Sequence, residues 1–258
     1  MILAIDIGNT HTVFGVYNKS KLLGDCRVTS FVTRTEDEFG ILVKNFCIEM
    51  KIPVRKIKHI GISSVVPNLT DVIYRMSKKY FNIEPLIVSS TLNLGMKILY
   101  DDPTTVGADR ICNAIAGFTK YKSALIIVDF GTATTYDVVS EKGDYLGGVI
   151  APGIETSAAE LHRRAAKLPR IDLHFPKNVI GKTTDTSMKS GVLYGALDAM
   201  EKMIERIKKE LPTKPIVVAT GGFSELIFSR SKVVDYHEPT LVLEGVRIIT
   251  ERSLLNKK

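Results

Sequence analysis

The feature that most constrains this chain is a pattern that occurs twice. Ile2-Leu3-Ala4-Ile5-Asp6-Ile7-Gly8-Asn9-Thr10-His11-Thr12-Val13-Phe14-Gly15-Val16 and Leu125-Ile126-Ile127-Val128-Asp129-Phe130-Gly131-Thr132-Ala133-Thr134-Thr135-Tyr136-Asp137-Val138-Val139 share one layout. An apolar strand ends in an acid; an apolar residue, a glycine and a hydroxyl-rich turn follow, and a second strand of β-branched and aromatic residues resumes. The trailing segments echo each other too, Lys21-Leu22-Leu23-Gly24 against Tyr145-Leu146-Gly147-Gly148. The glycine turn tolerates positive φ and presents backbone N–H groups. Those groups and the Thr10 and Thr12 hydroxyls can donate to phosphate oxygens. The Asp6 carboxylate can hold Mg²⁺, directly or through its water shell. One copy alone would serve equally as an ordinary hairpin with a solvated acid. Recurrence favours a phosphate site.

A chain of 258 residues can make one large domain or two modest ones. The internal repeat favours two similar halves, with a junction near residues 115–125. The N-terminus enters a strand at once, so no signal peptide is expected, and no apolar run approaches the roughly 20 residues that span a bilayer. Cys26, Cys47 and Cys112 are isolated and odd in number, which points to reduced cytoplasmic thiols rather than a zinc site or disulfides. His11, His59, His162, His174 and His237 show no metal-ligand spacing. The net charge of +7 raises nucleic acid as a partner. The basic residues are scattered over short segments, however, without a reader motif, and a basic balance also suits an enzyme with anionic substrates.

The rest of the first half alternates α and β, as layered α/β architecture requires. Arg27 to Phe31 reads as a strand. Thr35 with Glu36-Asp37-Glu38 reads as a helix start, and Phe39, Leu42, Val43, Phe46, Cys47 and Met50 continue at helical spacing. Ile57 to Val66 reads as a buried strand, Pro67-Asn68 as a turn, Leu69 to Tyr80 as an amphipathic helix and Pro85 to Val88 as a short strand. Pro103 keeps Asp102 extended, and a helix is expected from Ala108. That places Asp109 and Arg110 in its first turn, behind Gly107. An acid there is favoured by the helix dipole alone. The pair also suits a small substrate carrying a hydroxyl and a carboxylate, with Asp109 accepting the hydroxyl proton and Arg110 forking onto the carboxylate.

In the second half Tyr145 to Ala151 reads as a strand, and Pro152-Gly153 leads into a helix through Leu161. A long helix is expected over Asp185 to Leu211, with a broad apolar face of Met188, Val192, Leu193, Ala196, Ala199, Met200, Met203, Ile204 and Ile207. Pro215 to Ala219 reads as a strand ending in Thr220-Gly221-Gly222. Val233-Val234 reads as a short strand, Leu241 to Leu254 as a closing helix, and Lys257-Lys258 as a frayed end.

Two such hairpins followed by strand–Gly-Gly–helix resemble the acetate/sugar kinase, Hsp70 and actin superfamily. The resemblance implies an α/β fold of two similar halves with ribonuclease H-like (actin-like ATPase) architecture around a nucleotide cleft, residues 1–118 and 119–258. The Gly-Gly turn would lie near the adenosine. No Gly-x-x-x-x-Gly-Lys-Ser/Thr is present, which disfavours a P-loop. Asp6–Thr10, Gly107–Arg110, Asp129–Thr134, Gly147–Gly153 and Gly181–Thr184 together resemble type III pantothenate kinase, in order and over nearly the whole chain.

That narrower resemblance implies ATP-dependent phosphorylation of pantothenate to 4′-phosphopantothenate, the first step of coenzyme A synthesis, with Mg²⁺ and K⁺ or NH₄⁺, by a cytoplasmic homodimer. It implies ATP contacts from Asp6, Ile7, Gly8, Asn9, Thr10, His11, Thr12, Val13 and Thr132, and Asp109 as general base. Tyr100, Gly107, Ala108, Asp109 and Arg110 would bind pantothenate, with Thr184 reaching the substrate of the neighbouring subunit. Asp129 would hold the monovalent cation. Part of the apolar face of the long helix would meet a dimer partner. On the residues alone, Tyr100 also suits a packed aromatic and Thr184 a helix cap. Two other readings stand beside the kinase: a nucleic-acid-binding or transcription-accessory protein, and another ATPase of the actin-like superfamily. The Asp109-Arg110 pair discriminates, because a pure binding module has no need of it.

Overall fold

The computed structural model describes residues 1–255; Lys257-Lys258, expected as a frayed end, lie outside the described residues. The chain forms two compact units, one of residues 1–120 with the helix at 241–255, the other of residues 121–240.

The first unit holds β1 (Ile2–Ile7), β2 (His11–Asn18), β3 (Lys21–Thr29), α1 (Glu36–Glu49), β4 (His59–Ser64), α2 (Pro67–Phe81), β5 (Leu86–Ile87), α3 (Ala108–Tyr121) and the last helix, α7 (Leu241–Leu255). Its sheet runs β3-β2-β1-β4-β5. β1 is central, antiparallel to β2 and parallel to β4. It is covered on both faces, so Ile2 to Ile5 are all apolar and buried rather than alternating. α1 starts where expected, because Thr35 and Glu38 form a reciprocal capping box: Glu38 N donates to Thr35 Oγ1 at 3.3 Å and Thr35 N to Glu38 Oε2 at 2.7 Å. The strand expected at 27–31 instead begins at Lys21 and ends at Thr29, leaving Phe31 exposed. Pro67 does not turn the chain. It opens α2 at its first helical position, where a missing N–H costs nothing.

The second unit holds β6 (Leu125–Phe130), β7 (Ala133–Val139), β8 (Tyr145–Pro152), α4 (Ile154–Arg164), α5 (Thr184–Glu210), β9 (Ile216–Thr220), α6 (Ser224–Phe228) and β10 (Tyr236–His237). Its sheet, β10-β9-β6-β7-β8, repeats the order of the first. The register even slips at matching places, between Val16 and Tyr17 and between Val138 and Val139. The broad apolar face of α5 is largely spent inside this unit: Val192, Leu193, Met200, Ile204 and Ile207 are buried in its core, while Ala199 is exposed. The last strand is displaced from Val233-Val234, which pack against the core, to Tyr236–His237. Val217 fixes that register by donating its N–H to Asp235 Oδ2 at 2.8 Å while its carbonyl accepts from Asp235 N at 2.9 Å.

The sequence assigned α7 to the second half. In the structure it belongs to the first unit, against β1 and β4. The approach is close enough that a Cβ at Gly245 would stand 2.1 Å from the Cys112 carbonyl oxygen on α3. Nothing in the residues before Leu241 signals that transfer, since it rests on packing between distant segments.

Candidate functional site

The first hairpin turn is closed by Gly8 N donating to His11 O at 3.0 Å. Positive φ, expected at this glycine, is absent, and the same holds at Gly131. The turn is pinned from β3: Ser30 N donates to Thr10 O at 2.9 Å, and Ser30 Oγ lies 2.8 Å from Thr12 Oγ1. Thr12 is fully buried, so it props the turn from behind, whereas Asn9 and His11 are exposed at its tip and Thr10 is half-buried. Ile7 is buried and Val13 half-buried in the strands flanking the turn.

Asp6 sits at the end of β1, opposite Ser63 of β4. The fully buried Ser63 hydroxyl donates to Asp6 Oδ1 at 2.9 Å. Behind it lies Cys112 on α3, also buried and within hydrogen-bonding reach of Ser63. Burial pushes the Cys112 thiol well above its ordinary range, with the charges of Asp6 and Asp109 pushing the same way. Cys112 therefore stays a neutral thiol.

Asp109 stands one turn before Cys112 on the same helix. Gly107 makes room for it: a Cβ at residue 107 would stand 2.5 Å from Asp109 Oδ1. That oxygen accepts from Arg110 N at 2.8 Å. Burial raises the Asp109 carboxyl above the usual carboxylate range, opposed by the Arg110 N–H and the Arg110 charge. Ala108 and Arg110 are buried; Asp109 is only partly so. The approach to the helix is stiffened by Asp102, whose carboxylate accepts from Thr104 N at 3.0 Å and Thr104 Oγ1 at 2.6 Å. Tyr100, just before it, is exposed at 37%.

In the second unit, Gly131 N donates to Ala133 O at 3.1 Å. Asp6 faces Val13 in the first ladder and Asp129 faces Thr135 in the second, so the second turn is one residue shorter. Thr132 is nevertheless the counterpart of Thr10, because its carbonyl accepts from the third strand, here from Gly153 N at 3.2 Å. Thr156 Oγ1 adds a bond of 2.6 Å to the same carbonyl. Asp129 Oδ1 lies against the Gly221 turn, where φ is +92° and a Cβ would stand 2.3 Å from that oxygen. Thr184 is exposed and opens α5, but the helix cap is its neighbour Thr183, whose hydroxyl accepts from Thr186 N at 3.2 Å.

The first unit thus brings Asp6, the first turn and Asp109 around one small buried cluster, and the second unit holds Asp129, Thr132 and Thr184. Among the described residues no three His, Cys, Asp or Glu side chains gather as a metal cage. Asp6, a single carboxylate held by a neutral hydroxyl, fits a hard cation that keeps its water and takes the remaining ligands from phosphate. Asp129, an oxygen donor beside a backbone turn, fits a hard monovalent cation. The sequence reading gave no site role to Ser63, Ser30 or Cys112, and had Gly153 as part of a motif without its contact to the second turn. The only local signal for Ser63 was a pair of hydroxyls closing an apolar strand.

A sequence model of the family described as type III pantothenate kinase matches residues 2–206. The protein named type III pantothenate kinase from Geobacter sulfurreducens is 46% identical over 98% of this chain and 99% of its own. Among solved structures, a conserved protein of the Baf transcriptional-activator family from Campylobacter jejuni is similar with a TM-score of 0.62 at 18% identity, over 98% of this chain and 99% of that one. A ROK hexokinase from Thermus thermophilus is similar with a TM-score of 0.52 at 12% identity, over 99% of both chains. The likeness to these two is one of fold, which in this chain is mixed α/β with two five-stranded sheets.

Proposed function

The chain belongs to the type III pantothenate kinase family, and on that premise we propose that it transfers the γ-phosphoryl group of ATP to the primary hydroxyl of pantothenate. The product, 4′-phosphopantothenate, begins coenzyme A synthesis. The observation that carries the mechanism is that the start of α3 lies against the end of β1: Val65 N donates to Ile7 O at 3.1 Å, and a Cβ at Gly107 would stand 3.6 Å from Val65 Cγ1.

Phosphoryl transfer asks mainly for positioning and for neutralising charge. In our reading the backbone of Asp6 to Val13 and the Thr132 turn orient the triphosphate, with Thr12 acting through the turn it props. Tyr100 and Gly107 to Arg110 hold pantothenate, and Arg110 supplies the positive charge for its carboxylate. Asp109 accepts a hydrogen bond from the primary alcohol and aims it in line. A carboxylate suffices, because proton removal is late in a loose transition state. Mg²⁺ held by Asp6 and K⁺ or NH₄⁺ held by Asp129 would offset charge on the β- and γ-oxygens. A homodimer in which Thr184 reaches the partner's substrate is part of the same proposal, as is a cytoplasmic setting, which suits the unlinked Cys26, Cys47 and Cys112.

The test is a phosphorylation panel with purified protein, ATP, Mg²⁺ and K⁺, offering pantothenate, polyphosphate and DNA. The expected product is 4′-phosphopantothenate. Turnover of another acceptor with none of pantothenate would reject the proposal.

A further inference from the structure

Asp6 is the only acid in the first phosphate turn, and its usefulness to a cation depends on where its two oxygens point. The Ser63 hydroxyl decides this for one of them, by donating to Oδ1 at 2.9 Å. Ser63 is fully buried and lies directly opposite Asp6 in the parallel β1–β4 ladder, so the bond is built into the strand register. The Ser63 proton goes to the carboxylate, and the fully buried Cys112 of α3 lies within reach behind the hydroxyl. Ser63 thus stands between Asp6 and α3, the helix that carries Asp109.

The second unit offers a comparison. Thr220 of β9, also buried, faces Asp129 in the parallel β6–β9 ladder, so both turns place a hydroxyl residue opposite the acid.

We propose that Ser63 is a positioning residue for the Asp6 carboxylate, fixing its orientation toward the Mg²⁺ of the bound nucleotide. The inference rests on the nucleotide site proposed above. It concerns binding alone, so it can fail while the kinase reading stands.

The experiment measures binding of a non-hydrolysable ATP analogue by calorimetry, without pantothenate, in the presence and absence of Mg²⁺. The quantity read is the factor by which Mg²⁺ tightens binding, a ratio unaffected by a modest loss of folded protein. Residues that orient a metal ligand typically change metal affinity by about 10–100-fold when removed. Ser63→Ala should therefore lower the Mg²⁺ factor by about tenfold while binding without Mg²⁺ changes little. Ser63→Cys keeps the shape with a weaker donor and should fall between Ser63→Ala and the unmutated chain; it also serves if Ser63→Ala does not fold. Ser77→Ala removes another fully buried hydroxyl, one that donates to Ile73 O inside α2, and should leave the factor unchanged. An unchanged Mg²⁺ factor in the Ser63 variants, or an equal fall in Ser77→Ala, would overturn the proposal.

Discussion

Ser30 and Gly153 occupy the same place in the two units and do different work. Each follows the third strand of its sheet and donates its N–H to the carbonyl of the turn threonine, Thr10 or Thr132. In the first unit there is room for a side chain, and the Ser30 hydroxyl reaches Thr12. In the second there is none: a Cβ at Gly153 would stand 2.4 Å from both the Gly131 and the Thr132 carbonyl oxygens. The second turn is a residue shorter and backed at once by α4, which begins at Ile154; the first is followed by a longer connection to α1 at Glu36. One scaffold therefore yields a turn propped by side chains and a turn clamped by backbone. Each unit also starts a helix with an acid nearby, but Asp109 on α3 is partly buried whereas Glu155 on α4 is exposed.

The largest effect expected tests that last asymmetry. Asp109→Asn keeps the shape but removes the carboxylate, and kcat should fall roughly 10²-fold or more, as when a general base is lost. ATP-analogue binding should persist. Because burial holds the Asp109 carboxyl above the ordinary range, the acid limb of the unmutated enzyme should lie above that of a solvated carboxylate, with activity lost as pH falls through it. Near-normal turnover in Asp109→Asn would remove the asymmetry.

The next effect separates clamp from prop. Gly153→Ala forces a methyl against two carbonyl oxygens and should destabilise the chain by about 1–3 kcal/mol, the usual cost of overpacking. Ser30→Ala loses one hydroxyl bond and should cost about 1 kcal/mol or less. Urea titrations of both variants measure the difference, and equal losses would mean that the two exits are equivalent.

The smallest effect concerns the acid of the clamped turn. Asp129→Ala should abolish stimulation by K⁺ or NH₄⁺ while activity without added monovalent cation changes much less. An unchanged cation response would show that Asp129 and Asp6 do not divide the ions as we propose.

Both turns were legible in the sequence because an acid and a glycine at fixed spacing after an apolar strand leave few alternatives. So was the start of α1, since the Thr35 and Glu38 pairing is local. Ser63 was not, because it matters only through its register with Asp6, fifty-seven residues away. β10 was misplaced for a related reason: Val233-Val234 have the stronger strand propensity, but pairing with β9 selects Tyr236–His237. Thr183 rather than Thr184 caps α5, a one-residue distinction set by where the Thr186 N–H points.

The position of α7 also bears on synthesis. The second unit is one continuous stretch, and it is made before the helix that completes the first. At about 5–20 residues per second, a ribosome leaves the β1–β4 face without α7 for on the order of ten seconds after α3 has emerged. Through that interval, in which the second unit is itself being made, the nascent first unit exposes apolar surface that Leu241 to Leu255 will cover. A premature stop at the start of α7 would leave the second unit whole and the first unable to close its core, so such a truncated product should be marked for degradation by the half that was synthesised first.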